Sequence, residues 1–148
     1  MSLSVAKFAR RLSETFPLLM REILRYENNY LTRGVITPPQ FWALSQMAKQ
    51  KTCQMHDLAL CMNLKFSSAT GLVDRLVKQR LVCRDRSKND RRVVHVSITP
   101  KGRRIFDQIC EQKRKGIAKL FSRLSASERA RYLEIIQKLA SNLSEHRP

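Results

Sequence analysis

At 148 residues the chain has room for one compact domain, or for one domain plus an oligomerisation element. Its 43% hydrophobic content excludes a disordered chain, while 7% aromatic residues and four glycines disfavour a barrel or sandwich built on many tight turns. Lys and Arg total 29 against 12 Asp and Glu, and this +17 surplus draws in polyanions: DNA, RNA or an anionic membrane surface.

In chain order, residues 5–32 place Leu12, Phe16, Leu19, Ile23, Tyr26 and Tyr30 at steps of three and four. Such steps mark one face of a helix, which Pro17 should bend or briefly interrupt. So long a helix cannot bury its stripe against a small domain alone, and it is a candidate dimer element. Thr37-Pro38 reads as a helix start, threonine as N-cap and proline in the first turn. Phe41, Leu44 and Ala48 form that helix's inward face, with Trp42 nearby. A third helix begins near Met55 and carries Met55, Leu58, Ala59 and Met62 on one side. Asn63 ends it, because asparagine tolerates the left-handed conformation of a sharp turn. A fourth helix begins near Phe66, with Ala69, Leu72, Val73 and Leu76 inward, and the pair forms a helix-turn-helix.

After Leu81 the period falls to two. Residues 82–86 form one strand, and Val94, Val96 and Ile98 alternate along a second. The turn-prone run Ser87-Lys88-Asn89-Asp90-Arg91 joins them as a hairpin. Thr99-Pro100 restarts helix through Ile105 and Ile109 towards Leu120, with a polar stretch at 111–116. Ser125-Ala126-Ser127-Glu128 matches a capping box, and Tyr132, Ile135, Ile136, Leu139 and Leu143 share one side of the last helix. The chain reads as mainly α with a small β-hairpin wing. Residues 37–103 make a winged helix-turn-helix region, and 1–36 and 104–148 are helical arms of the same domain.

The charge is unevenly distributed. Residues 65–104 hold 12 basic and 3 acidic residues, just over half of the surplus in about a quarter of the chain. An anionic partner should dock there. Lys65, Phe66, Ser67, Ser68 and Thr70 open the fourth helix, and Arg75 lies further along it. Small hydroxyl side chains can approach base edges closely, and an arginine a turn or two away can reach phosphate. Around the hairpin, Arg84, Arg86, Lys88, Arg91 and Arg92 are opposed only by Asp85 and Asp90. That repulsion is relieved beside phosphates or inside a narrow minor groove. Asp90 is placed two residues before Arg92 to orient its guanidinium.

Two stretches resemble the MarR family of winged-helix regulators. One runs from Asp57-Leu58-Ala59 through Val73-Asp74-Arg75-Leu76 to Leu81-Val82. The other is Asp90-Arg91-Arg92-Val93-Val94-His95-Val96-Ser97-Ile98-Thr99-Pro100-Lys101-Gly102. The resemblance covers about the central half of the chain. It implies a transcriptional regulator, most simply a repressor, dimerised through its terminal helices on an inverted-repeat operator in double-stranded DNA. In that reading the fourth helix is the recognition helix and Arg92 the minor-groove arginine. It also implies control by an effector. A small aromatic or phenolic acid between the arms and the winged region would meet Tyr26, Tyr30, Phe41, Trp42 and Met47, with Arg21 or Arg25 on its carboxylate. Two positions depart from the family. Lys65 stands where a serine cap is usual, and Arg80 where a glycine usually makes the turn.

Other classes have less support. The sequence carries no Gly-rich phosphate loop, nucleophile elbow or paired carboxylates, and His56, His95 and His146 are far apart, so no enzyme and no cofactor are expected. Cys53, His56 and Cys61 are soft ligands around the third helix, but on divergent faces, so no metal site is expected. The alternatives are a sequence-neutral basic protein that coats DNA and a thiol-based redox sensor of the same fold. The resemblance places reactive cysteines on the first helix, where this chain has none; Cys83, beside Arg84, is the remaining candidate. The default reading of Cys53, Cys61, Cys83 and Cys110 is four free thiols, several of them buried. No apolar run approaches the ~20 residues that span a bilayer, and the N-terminus lacks signal-peptide features. A cytosolic protein on the nucleoid, with no membrane partner, is the expectation.

Overall fold

Two helix starts share one piece of chemistry, and each anchors a different part of the fold. At Thr37 the backbone N–H donates to the Gln40 side chain at 2.9 Å, and Gln40 N–H donates back to Thr37 Oγ1 at 3.4 Å. This reciprocal cap, with Pro38 in the first turn, starts helix α2 (Pro38–Lys49) and explains why Gln40 can be buried. At Ser125 the same box closes with Glu128, whose carboxyl is held below the ordinary glutamate range by hydrogen bonds from the Ser125 backbone and hydroxyl.

The computed structural model describes residues 4–25, 33–50, 52–87, 90 and 93–145. Helix α1 (Val5–Arg25) precedes α2; then follow β1 (Cys53–Gln54), α3 (Met55–Cys61), α4 (Phe66–Lys78), β2 (Val82–Arg86), β3 (Val94–Ile98), α5 (Pro100–Phe121) and α6 (Ala126–Glu145). They fall into two units, one of Glu27–Gln112 and one of Met1–Tyr26 with Lys113–Pro148. The helix-turn-helix and the hairpin appear where their periodicities put them, in a mainly helical fold with one small antiparallel sheet.

In the first unit the sheet has strand order β1-β3-β2, with Val82 opposite Ile98 and Arg86 opposite Val94. The third strand, β1, was not anticipated. Its two residues pair Cys53 with Val96 and Gln54 with His95, and two residues are too few to show a period. Ile36, Leu44, Leu58, Val73, Leu76 and Val96 are fully buried in one core with Ile109 of α5. The inner face of α4 is the one expected: Ala69, Leu72, Val73 and Leu76 are all buried. On α2 the face is rotated. Ala43, Leu44 and Met47 are buried, while Phe41, Trp42 and Ala48 are partly exposed. Buried Gln40 at the start of that face, held by the cap, breaks the apolar pattern that Phe41 and Ala48 suggested. Phe41 instead stacks on Phe106 of α5, with ring centroids 5.4 Å apart.

Asn63 ends the turn after α3 at φ +50°, as asparagine allows. Met62 is only partly buried, so the inward stripe of α3 is Met55, Leu58 and Ala59.

In the second unit, α1 passes through Pro17 as a single helix without a break. Gly116 on α5 faces the Ile23 backbone, where a methyl group would lie 2.9 Å from the Ile23 carbonyl oxygen, and Phe121 packs on Tyr132. Much of the remaining apolar surface described in this unit is open. Phe8, Leu12, Phe16 and Leu18 of α1 and Leu133, Ile135 and Leu139 of α6 are all exposed. The expected extension of α1 to residue 32 lies outside the described residues.

Candidate nucleic-acid interface

Helix α4 divides into a buried side and an open first turn. Lys65, Phe66, Ser67 and Ser68 are exposed, as is Arg75 two turns on. Lys65 is the N-cap residue but makes no side-chain cap, so the first backbone N–H groups of α4 receive nothing from it. Thr70 is partly buried, and its hydroxyl donates back to the Phe66 carbonyl at 2.9 Å.

The opposite end of α4 is heavily tied. Arg80 follows the helix at φ +60°, a left-handed residue where only glycine is free of strain. Its carbonyl accepts from Thr99 Oγ1 at 2.8 Å, the Leu81 carbonyl accepts from Thr99 N–H at 3.0 Å, and the Gln79 carbonyl accepts from Lys101 Nζ at 3.0 Å. Thr99 Oγ1 also accepts from Gly102 N–H at 3.0 Å, which starts α5. A methyl group on Gly102 would overlap the Leu81 carbonyl. The Thr-x-x-Gly spacing is therefore a clamp: it ties down the turn after α4 and begins α5 with the same atoms.

The hairpin is braced to α4 by one arginine. Arg84 Nη1 donates to Asp74 Oδ1 at 2.6 Å, and its Nη2 donates to the Thr70 carbonyl at 3.1 Å. Both groups lie on α4, so Arg84 is committed to the protein side of the wing. Asp74 was part of the recognised motif, but sequence reasoning gave it no role. The signal was available: it is the single acid on a helix followed by an arginine-rich strand. Arg86 and Asp90 are exposed near the tip, where Ser87 N–H donates to the Val93 carbonyl at 2.9 Å and Val93 N–H to the Asp90 carbonyl at 3.0 Å. Lys88, Arg91 and Arg92 lie outside the described residues.

The remaining candidates belong to both units. Met47 is wholly buried in the core, Trp42 is partly exposed on α2, and Phe41 is held against Phe106. Arg21 and Arg25 are exposed on α1, with Arg25 paired to Glu22 at 3.2 Å. Tyr26 and Tyr30 lie outside the described residues. The expectation that several thiols are buried needs correction. Only Cys53 is, its thiol pushed up by burial and by the charge of nearby Asp57; Cys110 is partly buried, and Cys61 and Cys83 are exposed. Cys83 shows its odd-numbered face of β2 to solvent, and its Sγ lies 3.0 Å from Ser97 Oγ across the ladder. Among the described residues no group of three His, Cys, Asp or Glu is arranged to hold a metal ion, and no helix is long and apolar enough to cross a membrane.

An apolar inner face, an open polar first turn and a cation-rich hairpin braced to the same helix together define a winged helix-turn-helix DNA-binding protein. Comparison with known proteins narrows the class. The profile of the MarR family matches residues 36–94. The HTH-type transcriptional regulator YsmB of Bacillus subtilis is 30% identical over 135 residues, 91% of this chain and 88% of that protein. The HTH-type transcriptional repressor MdtR of the same organism is 30% identical over 71% of this chain and 68% of its own length. A MarR family protein from Bacillus stearothermophilus has a solved structure that superposes with a TM-score of 0.76 at 29% identity, covering 95% of each chain. This chain belongs to the MarR family and is a DNA-binding transcriptional regulator.

Proposed function

We propose that the protein acts as a homodimeric repressor on an inverted-repeat operator. The observation that carries this reading is the open first turn of α4, Lys65 to Ser68, on a helix braced to the wing through Arg84. A reading helix tied rigidly to its wing presents base-contacting and backbone-contacting groups in one fixed register. Two copies would set two such helices in successive major grooves about one helical turn apart, with Lys88, Arg91 and Arg92 of each wing against the flanking minor groove. The dimer would be held by the helical unit, whose exposed Phe8, Leu12, Phe16, Ile135 and Leu139 provide the apolar surface an obligate interface needs.

Selection of bound duplexes from a random pool at a stated salt concentration tests the proposal. Enrichment of one palindrome, preferred over random DNA by orders of magnitude, is the expected result. A steep salt dependence with no enriched sequence would instead identify a coating protein. Release from DNA by a small aromatic acid belongs to the same proposal, supported by the accessible part of Trp42. A thermal-shift screen of aromatic acids in which none stabilises the protein would remove that part.

A further inference from the structure

Phe66 is the odd residue of the reading turn. It is the first residue of α4 and 55% exposed, between Lys65 and the hydroxyls of Ser67 and Ser68. The ring also borders a cleft of about 110 Å³ lined by Gln54, Met55, His56, Val93 and Val94. The lining is mixed: Val93 and Val94 bring apolar groups to the cleft beside the exposed ring, and Gln54 and His56 polar ones. A cleft that size exceeds the ~30 Å³ share of one water molecule, leaving room beside the ring for a methyl group. An aromatic ring left in water at this position gains nothing for the free protein. On a helix that enters the major groove, however, it meets base edges, where the one apolar group is the C5-methyl of thymine.

We propose that Phe66 is a specificity-determining residue that reads the 5-methyl group of a thymine in each operator half-site. This rests on α4 being the helix that reads DNA. The neighbouring side chains divide the task. Ser67 and Ser68 offer hydrogen bonds to base edges or phosphate, Lys65 offers charge, and Phe66 adds a contact that depends on a methyl group.

The test begins with the palindrome recovered from a random pool and bound by the full-length protein. Each thymine is replaced in turn, symmetrically in both half-sites, by deoxyuridine, which keeps the base pair and removes only the methyl. The wild type should lose roughly fourfold per half-site at one position, the worth of one buried methyl group. Phe66→Ala should bind the unmodified operator more weakly and be indifferent to that methyl. Phe66→Leu, which keeps apolar bulk and guards against a folding artefact, should retain part of the discrimination. If no methyl affects wild-type binding, or Phe66→Ala still loses as much on removal of that methyl, the inference is overturned while the operator-binding reading survives. A pool with no enriched sequence would overturn that reading, and this inference with it.

Discussion

At the scale of single residues, two left-handed positions show what sequence can and cannot reveal. Asn63 was legible, because asparagine after an apolar stripe is a recurring way to end a helix, and it sits at φ +50°. Arg80 at φ +60° was legible only against the motif, where glycine is usual; nothing in arginine itself points to a left-handed backbone. Its exposed side chain is a proposed phosphate contact. Arg80→Gly should therefore raise stability by about 1 kcal/mol, a rise of ~3 °C in Tm for a chain of this size. It should also weaken DNA binding and lower the salt slope by about one per subunit. Thermal unfolding and a salt titration of binding check the two halves separately. A loss of stability would show that the Arg80 side chain is needed for folding. Lys65 follows the same logic in milder form, since a lysine N-cap leaves the first turn of α4 uncapped where a serine would close it.

At the scale of elements, helices α3 and α4 and the hairpin were readable because each carries its own period over five or more residues. The contacts that fix them were not, because they join residues far apart in sequence. Arg84 reaches Thr70 and Asp74 across ten to fourteen positions, and Thr99 reaches Arg80 across nineteen. Arg84 was read as a DNA contact on its charge; the geometry gives that charge a partner within the protein. The two roles separate by experiment. Asp74→Asn and Arg84→Gln should each weaken operator binding with little change in its salt slope, because what is lost is the position of the wing. Arg92→Ala, at the proposed minor-groove contact, should lower the slope by about one per wing. An equal fall in slope for Arg84→Gln would return that residue to the DNA. Gly102 gives the sharper stability test. With a methyl group set against the Leu81 carbonyl, Gly102→Ala should cost about 2–3 kcal/mol in urea unfolding. Strand β1 stayed invisible for a different reason: two residues have no pattern, and Cys53–Gln54 joins the sheet only because Val96 and His95 are already placed.

At the scale of the whole molecule, charge and apolar exposure point to different partners. The basic residues crowd the winged region, where they repel one another until a polyanion arrives. The exposed apolar residues crowd α1 and α6, the surface assigned to a second copy in the proposed dimer. The open face of α1 was legible: a terminal helix too long to bury its stripe against a small domain should leave apolar residues exposed, as Phe8, Leu12 and Phe16 are. Ile136→Asp with Leu139→Lys should shift the protein towards monomer in sedimentation and reduce operator affinity steeply. Each half-site would then be bound without the gain in local concentration that linkage provides. A dimer that survives both changes would place the interface elsewhere.

The two ends of α4 are held very differently, and that asymmetry bears on how such a regulator diverges. The turn after its last residue, Gln79 to Leu81, is pinned by Thr99 and Lys101, so substitution there disturbs the fold. Its first turn owes nothing to a cap and buries no side chain before Ala69. If residues 65–68 read DNA as proposed, substitutions there should change target preference while the scaffold stays intact.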